Sequence, residues 1–205
     1  MYTSGCIKRH IFRLSLGRIF TTREMLIYGP RSAIDQCLAG LVKKGLIIRL
    51  ARGVFVREGS NLNQITVEDV ARAKAEAFGK QLATWGGVLA SRLGLAPEGQ
   101  QQRERIFCVS GSSSSFKFRE VTVVFRKTCT RKMLLNASFA GQFLHALWHL
   151  GLGGVKALTA EQADRVSLNR PIKEEIRLKV GSVPAWLAAV FLHWTLPRCA
   201  LDSPR

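Results

Sequence analysis

The sequence predicts an α+β protein with two domains. Between Arg18 and Glu58, helical apolar spacing is followed by two short β-prone runs. A polar, turn-rich run at residues 59–64 then indicates a linker. Because the chain has 205 residues, a single motif ending near residue 60 cannot account for it. We therefore expect one domain over residues 1–60 and a mixed α/β domain, with a small sheet and flanking helices, over residues 65–205.

The charge of the chain points to a polyanionic partner. Hydrophobic residues make up 47% of the sequence, which argues against extensive disorder. The net charge is +17, and it is interleaved with a globular pattern instead of lying on one amphipathic helix, so nucleic acid is favoured over membrane. Residues 1–60 hold 11 Lys and Arg against 3 acidic residues, a net of +8. The positive charge is therefore densest in the N-terminal domain.

The N-terminal domain begins with three predicted helices. Apolar residues at helical spacing predict the first helix within residues 1–17. Thr21 and Thr22 are N-capping residues for a second helix that runs from Thr22 to Tyr28. Gly29 ends that helix, and Pro30 suits the first position of the third. The third helix carries an apolar stripe at Ile34, Leu38, Leu41 and Val42, and it ends at the basic pair and glycine Lys43-Lys44-Gly45.

A β-hairpin is predicted directly after the third helix. Leu46–Leu50 and Val54–Arg57 are β-prone and are joined by Ala51-Arg52-Gly53, a glycine-containing hairpin loop. A winged helix-turn-helix has this order of elements: two helices joined by a tight turn, and then a hairpin. In that fold the second helix of the pair enters the major groove of DNA, and the hairpin is the wing.

This arrangement predicts the DNA contacts. Arg31, Ser32, Asp35 and Gln36 face away from the apolar stripe, and all four side-chain types can bond to base edges. Basic side chains on a wing contact the DNA backbone or the minor groove. The predicted DNA-binding residues are Thr22, Arg23, Arg31, Ser32, Asp35, Gln36, Lys43, Lys44, Arg49 and Arg52. The alternative interpretation is a helical hairpin followed by a β-hairpin whose arginines are merely solvated.

The second domain is predicted to mix helices with a small sheet. Thr66-Val67-Glu68-Asp69 has the capping-box pattern and should begin a helix that reaches Phe78. Further helices are expected at Gly86–Leu93, Phe139–Leu150, Thr159–Val166, Ile172–Leu178 and Pro184–Trp194. The predicted strands are Ile106–Val109, Phe116–Arg119 and Val121–Arg126.

A second basic cluster surrounds this predicted sheet. Its members are Arg119, Arg126, Lys127, Arg131 and Lys132. They would provide further phosphate contacts, or a surface for an acidic or RNA-bound partner, or they form a solvated rim; the sequence favours none of these.

No combination of residues predicts catalysis, a cofactor or a metal. His145 and His149 have the spacing of two ligands on one helix, but no third ligand lies nearby in sequence. Serines 112–115 lack the strand and glycines of a nucleophile elbow. Residues 151–154 lack the lysine and the preceding strand of a P-loop. We therefore expect a protein that is not an enzyme.

The cysteines and the apolar segments indicate a cytoplasmic protein. Five cysteines, an odd number without a C-x-x-C pair or a preceding secretory signal, are expected to be reduced thiols. Cys37 should belong to the core. The most apolar window, Val183–Leu196, is too short to cross a bilayer and contains Pro184, so it is predicted to be a buried helix and no membrane partner is expected.

Several segments in order resemble one known family. IFTTREML, GPRSAIDQCLAGLVKKGLIIRLARGVFV, VARAKAEAFG, WGGVLASRLGLAP, IFCVSG and FLHALWHLG are similar to the AbiEi-like family, the transcriptional regulator/antitoxins of abortive-infection type IV toxin–antitoxin systems. The resemblance spans roughly residues 7–152 and is most specific in GLVKKGLIIRLARGVF. The sequence departs from the family at QQQRER and at the four serines after Gly111.

The resemblance implies an N-terminal winged helix that regulates its own promoter. It also implies a C-terminal domain that counters a nucleotidyltransferase toxin encoded by the neighbouring gene. On this alignment of motifs, Arg31–Leu41 falls on the recognition helix and Arg49–Gly53 on the wing.

Three hypotheses of function follow. The first is a sequence-specific regulator that binds double-stranded operator DNA, as a homodimer on inverted repeats, and also acts as an antitoxin. The second is a stand-alone regulator of transfer or phage genes on a mobile element, with no toxin, whose C-terminal domain mediates protein interaction or oligomerisation. The third, an RNA-binding accessory protein, rests on charge alone.

Overall fold

The chain folds as an α+β protein with two small sheets, which agrees with the predicted class. The computed structural model describes residues 3–97, 104–158 and 170–195. Its contacts define two compact units, the first formed by residues 1–82 and 102–127 and the second by residues 83–101 and 128–205. The predicted boundary between residues 60 and 65 therefore lies inside the first unit and not at its end.

The first unit opens with three helical segments, α1 (Thr3–Arg13), a 3₁₀-helix (Glu24–Tyr28) and α2 (Arg31–Lys43). They pack around a shared apolar cluster that includes Ile7, Ile11, Phe20, Met25, Ile34, Leu38 and Leu41. The segment predicted as an α-helix over Thr22–Tyr28 is thus shorter and of the 3₁₀ type. Thr22 does not cap it. Instead, the backbone N–H of Thr21 donates to Glu24 Oε1 at 2.8 Å.

Three strands complete this part of the unit. β1 (Phe20–Thr21), β2 (Ile47–Ala51) and β3 (Val54–Arg57) form an antiparallel sheet in the order β1-β3-β2. The β2–β3 hairpin was predicted, and its tight turn depends on Gly53, whose φ of +78° strongly favours glycine. β1 was not predicted, because two residues are too short to produce an alternating pattern.

The remainder of the first unit is a helix and most of the second sheet. α3 (Val67–Ala77) begins at Thr66, where the predicted capping box with Asp69 is present. β4 (Leu82–Thr84), β5 (Glu104–Val109), β6 (Ser114–Phe118) and β7 (Val121–Lys127) follow in the sheet order β4-β5-β7-β6. β5 is parallel to β7, and β6 is antiparallel to it. Arg119, predicted at the end of a strand, lies in the β6–β7 turn with a φ of +53°.

The hairpin and these later elements share one core, which explains where the unit ends. Leu50, Val54 and Val56 of the hairpin belong to the same buried cluster as Ile65, Val70 and Phe118. The polar run predicted as a linker contains a 3₁₀-turn, Leu62–Gln64, directly before buried Ile65. Burial of apolar side chains from both sides of this run joins the segments into one unit.

The second unit consists of helices around a separate core. They are α4 (Gly86–Arg92), α5 (Thr130–Leu135), α6 (Phe139–Lys156), α7 (Arg170–Lys179) and α8 (Ala185–Thr195). α6 was expected to stop at Gly151, but the chain kinks there, with a φ of +70°, and continues as helix. The predicted helix Thr159–Val166 lies outside the described residues. Within the described part of the chain, the helices are all too short or too polar to cross a membrane.

Candidate nucleic-acid interface

A groove between α2 and the β2–β3 hairpin brings together many of the predicted DNA-binding residues. Its volume is about 400 Å³. The predicted residues that line it are Thr22, Arg31, Asp35, Lys43, Arg49 and Arg52. Four of these side chains are cations and one is an anion, so the groove has a positive surplus suited to a polyanion.

Thr22 forms part of the floor of the groove. Thr22 is only 3% exposed, and its backbone N–H donates to the carbonyl of Gly53 at 3.0 Å. This bond holds the hairpin turn against the chain that precedes the 3₁₀-helix. Thr22 therefore positions the hairpin rather than presenting an exposed hydroxyl.

Arg31 and Asp35 form an ion pair on the exposed face of α2. Arg31 Nε lies 3.0 Å from Asp35 Oδ2, and both side chains are more than half exposed. Such pairs four residues apart on a helix stabilise it by only about 0.3–0.5 kcal/mol. Arg31 can therefore bond to another acceptor in place of Asp35 with little loss of helix stability.

The other four predicted residues lie outside the groove lining. Ser32 and Gln36 are exposed on α2, and Lys44 is exposed at the C-cap of that helix. Arg23 is exposed as well, but its guanidinium donates to the carbonyl of Ala77 at 3.0 Å.

Two lysines outside the predicted DNA-binding set, Lys74 and Lys80, add positive charge near the hairpin turn. The ammonium group of Lys74, on α3, donates to the carbonyl of Arg52 in the hairpin turn at 2.9 Å. Burial, and then the cations Arg52, Arg49 and Lys80, lower the pKa of Lys74 below its ordinary value. The sequence signal was a pair of lysines flanking an aromatic residue in AKAEAFGK, but it lay in a segment assigned to the other domain.

The second basic cluster is divided between the two units. Arg119 belongs to the first unit, where its guanidinium donates to the carbonyl of Leu62 and lies 4.8 Å from the Phe118 ring centroid. Arg126 and Lys127 are exposed on β7. Arg131 and Lys132 are on α5 of the second unit, and the Lys132 ammonium lies over the Trp148 ring. The five residues are therefore not one surface of a single unit.

Both histidines of α6 contact neighbouring side chains of the second unit. His145 is 1% exposed, and its Nδ1 lies 2.8 Å from Asn136 Nδ2. Burial, then the charges of Lys132 and His149, lower the pKa of His145 to about 4. His149 packs edge-on against Trp85. Among the described residues, no three His, Cys, Asp or Glu side chains are grouped as metal ligands would be.

The described cysteines are not joined in disulfide bonds. Cys108 is buried, Cys129 is exposed, and Cys6 and Cys37 are half-buried. Cys37, predicted to be core, packs against the cluster that joins α1 and α2. Cys199 lies outside the described residues.

Comparison with known proteins identifies the family of the chain. No curated protein and no solved structure gives a significant match. A family model described as "Family of unknown function (DUF6088)" matches residues 6–176, which include the groove, α3 and most of the second unit. Because this match spans well over half of the sequence, the chain belongs to the DUF6088 family.

Proposed function

We propose that the chain is a sequence-specific transcriptional regulator whose first unit binds double-stranded DNA as a winged helix-turn-helix. The observation that carries the proposal is the groove between α2 and the hairpin, with Arg31, Lys43, Arg49 and Arg52 along it. In this proposal, α2 is the recognition helix and the hairpin is the wing. The 3₁₀-helix takes the place of the first helix of the pair.

The two sides of the groove would have different roles. The major groove of DNA is wide enough to admit an α-helix, and exposed side chains near the N-terminus of that helix reach base edges. Arg31 and Gln36, both exposed in the first two turns of α2, are the proposed base readers. Arg49 and Arg52 on the hairpin would bind phosphates, which supply affinity but little sequence information.

The test compares these residues on specific and random duplexes. The specific site is first located by footprinting the DNA around the gene for this chain. Arg31→Ala and Gln36→Ala should each lose about 1–3 kcal/mol on that site and less on random DNA. Arg49→Ala and Arg52→Ala should weaken binding to every duplex.

The salt dependence separates the two roles. Each lost phosphate contact should reduce the slope of log K against log salt by about 0.9. Arg177→Ala is the matched control, because it removes one exposed arginine from α7 in the second unit. Equal losses on both duplexes in the Arg31 and Gln36 variants would reject base reading, and unchanged slopes in the Arg49 and Arg52 variants would reject the wing contact.

We further propose that the second unit binds a protein. In this proposal, Leu134 of α5 and Leu178 of α7, which are 65% and 88% exposed, would be among the contacting side chains. The resemblance to AbiEi-like regulators makes a nucleotidyltransferase toxin the first candidate partner. A second copy of this chain, in a stand-alone regulator bound to inverted repeats, is the alternative.

The neighbouring gene distinguishes these partners. A nucleotidyltransferase reading frame beside this gene, whose toxicity is relieved by co-expression of this chain, is the result expected of an antitoxin. If no such gene is present and the chain binds paired half-sites cooperatively, the stand-alone regulator is correct. Preference for RNA over duplex DNA in direct competition would reject both.

A further inference from the structure

Phe78 is an exposed aromatic residue in a cationic part of the first unit. It lies at the C-cap of α3 and is 62% exposed. The ammonium nitrogen of Lys74 is 5.6 Å from the Phe78 ring centroid and 5.2 Å from that of Phe116. Phe116 is half-buried, so Phe78 is the aromatic ring of this pair that is presented to a partner.

Hydrogen bonds fix this end of α3 to the hairpin turn and to Arg23, the residue before the 3₁₀-helix. Lys74 donates to the carbonyl of Arg52 at 2.9 Å, one residue before Gly53. The guanidinium of Arg23 donates to the carbonyl of Ala77 at 3.0 Å. Phe78 is therefore held on the same surface as the turn that carries Arg52.

The charges around Phe78 are predominantly positive. Arg23 is bonded to the carbonyl of Ala77, beside Phe78, and the Lys74 ammonium lies 5.6 Å from the centroid of the Phe78 ring. The ammonium of Lys80 is held by the carbonyl and hydroxyl oxygens of Ser112 at 2.6 and 3.0 Å. Glu76, the acidic residue nearest in sequence, lines a different depression that also contains Asp69. The surface suits a partner that combines anionic groups with apolar or aromatic ones.

We propose that Phe78, flanked by Arg23 and Lys80, is a second contact of the first unit with the DNA duplex, in the minor groove beside the hairpin turn. This inference rests on the proposed function. A duplex is favoured because Phe78 is tied to the turn whose arginine would bind the same backbone. In the minor groove, apolar side chains pack on sugars or insert between base steps, while neighbouring cations bind phosphates.

The contact would lengthen the DNA site beyond α2 and the hairpin. Replacing Phe78 should also change the salt dependence of binding differently from replacing an arginine. Losing an apolar contact weakens affinity without changing the number of counterions that binding releases, so the salt slope should not change. Losing Arg23 or Lys80 should reduce the slope by about 0.9 each.

The experiment measures binding of the full chain to a fluorescein-labelled random duplex by anisotropy over a salt series. Phe78→Ala should bind about tenfold more weakly with an unchanged slope, and Phe78→Leu should retain most of the affinity. Phe12→Ala, which truncates an exposed phenylalanine of α1, is the control and should bind like the parent chain. Thermal unfolding of each variant verifies that it is folded.

The outcomes separate this inference from the proposed function. If the parent chain does not bind duplex DNA, both are overturned. If binding depends on Arg49 and Arg52 but Phe78→Ala matches the parent chain, only the contact at Phe78 is overturned. A loss confined to single-stranded DNA would also overturn it, because stacking on unpaired bases needs no duplex.

Discussion

Buried His145 should make the stability of the second unit depend on pH. The amide of Asn136 is oriented by the N–H of Thr84, which donates to Asn136 Oδ1 at 3.1 Å. Its Nδ2 group therefore donates to Nδ1 of His145, so this ring nitrogen is an acceptor without a proton. Protonation there would place two donors face to face, with Lys132 and His149 adding positive charge.

The direction and the size of this pH dependence follow from the difference between the pKa of His145 in the folded and the unfolded chain. The pKa of His145 is about 4 in the folded chain, against 6.5 for an ordinary histidine. As the pH falls below 6.5, the unfolded chain takes up the proton before the folded chain does. The free energy of unfolding therefore decreases between pH 6.5 and about pH 4. The whole loss is about 3 kcal/mol, and about 2 kcal/mol of it should appear between pH 7.5 and pH 5.

Urea denaturation at a series of pH values measures this loss. All four tryptophans lie in the residue range of the second unit, so their fluorescence reports on its unfolding. His145→Gln is the control, because its amide oxygen can accept from Asn136 and does not titrate. The variant should lose about 2 kcal/mol less than the parent chain over this range. The same pH dependence in both proteins would refute the assignment of His145 as a neutral, buried acceptor.

Three further predictions concern the first unit. Thr66→Ala should lower its stability by about 1 kcal/mol in urea denaturation, and Thr66→Ser should not, because the hydroxyl accepts from the N–H of Asp69 at 3.1 Å; equal stability of both variants would contradict this. Gly53→Val should weaken both folding and DNA binding by about 1–2 kcal/mol or more. An added Cβ would meet Thr22 Oγ1 at an ordinary 3.5 Å, so the strain is in φ, and an unperturbed Gly53→Val would reject the turn's role. Asp35→Asn should change stability by less than about 0.5 kcal/mol yet tighten binding to random DNA, measured by anisotropy, since it removes the carboxylate of the groove; unchanged or weaker binding to random DNA would contradict this.

The local elements of the first unit were predictable because their ends have distinct chemistry. Pro30 is the N-cap of α2, one position before the first helical position predicted for it; Gly45 follows the end of that helix, and Gly53 occupies the hairpin turn with positive φ. The capping box of Thr66 and Asp69 was equally clear. In each case, the cause lies within a few residues of the element it defines.

The limits of the first unit depend on contacts that a local pattern does not contain. Ile65 and Phe118 pack with hairpin residues far away in sequence. Lys74 lies beside the cations of the hairpin because its ammonium donates to the carbonyl of Arg52, 22 residues away in sequence. Residues 59–64 resemble a linker because most of them are polar, yet Leu62 packs against the cluster that contains Ile65, and Ser60 Oγ accepts from the N–H of Gly17 at 2.8 Å.

The most direct test of DNA binding by the groove is chemical-shift mapping by NMR as the full chain is titrated with duplex DNA. The largest changes should fall on α2 and the hairpin, including the side-chain signals of Arg31, Gln36, Arg49 and Arg52. The second unit should change little. Changes confined to the second unit, or no changes at low salt, would contradict the claim that this groove is the DNA-binding site.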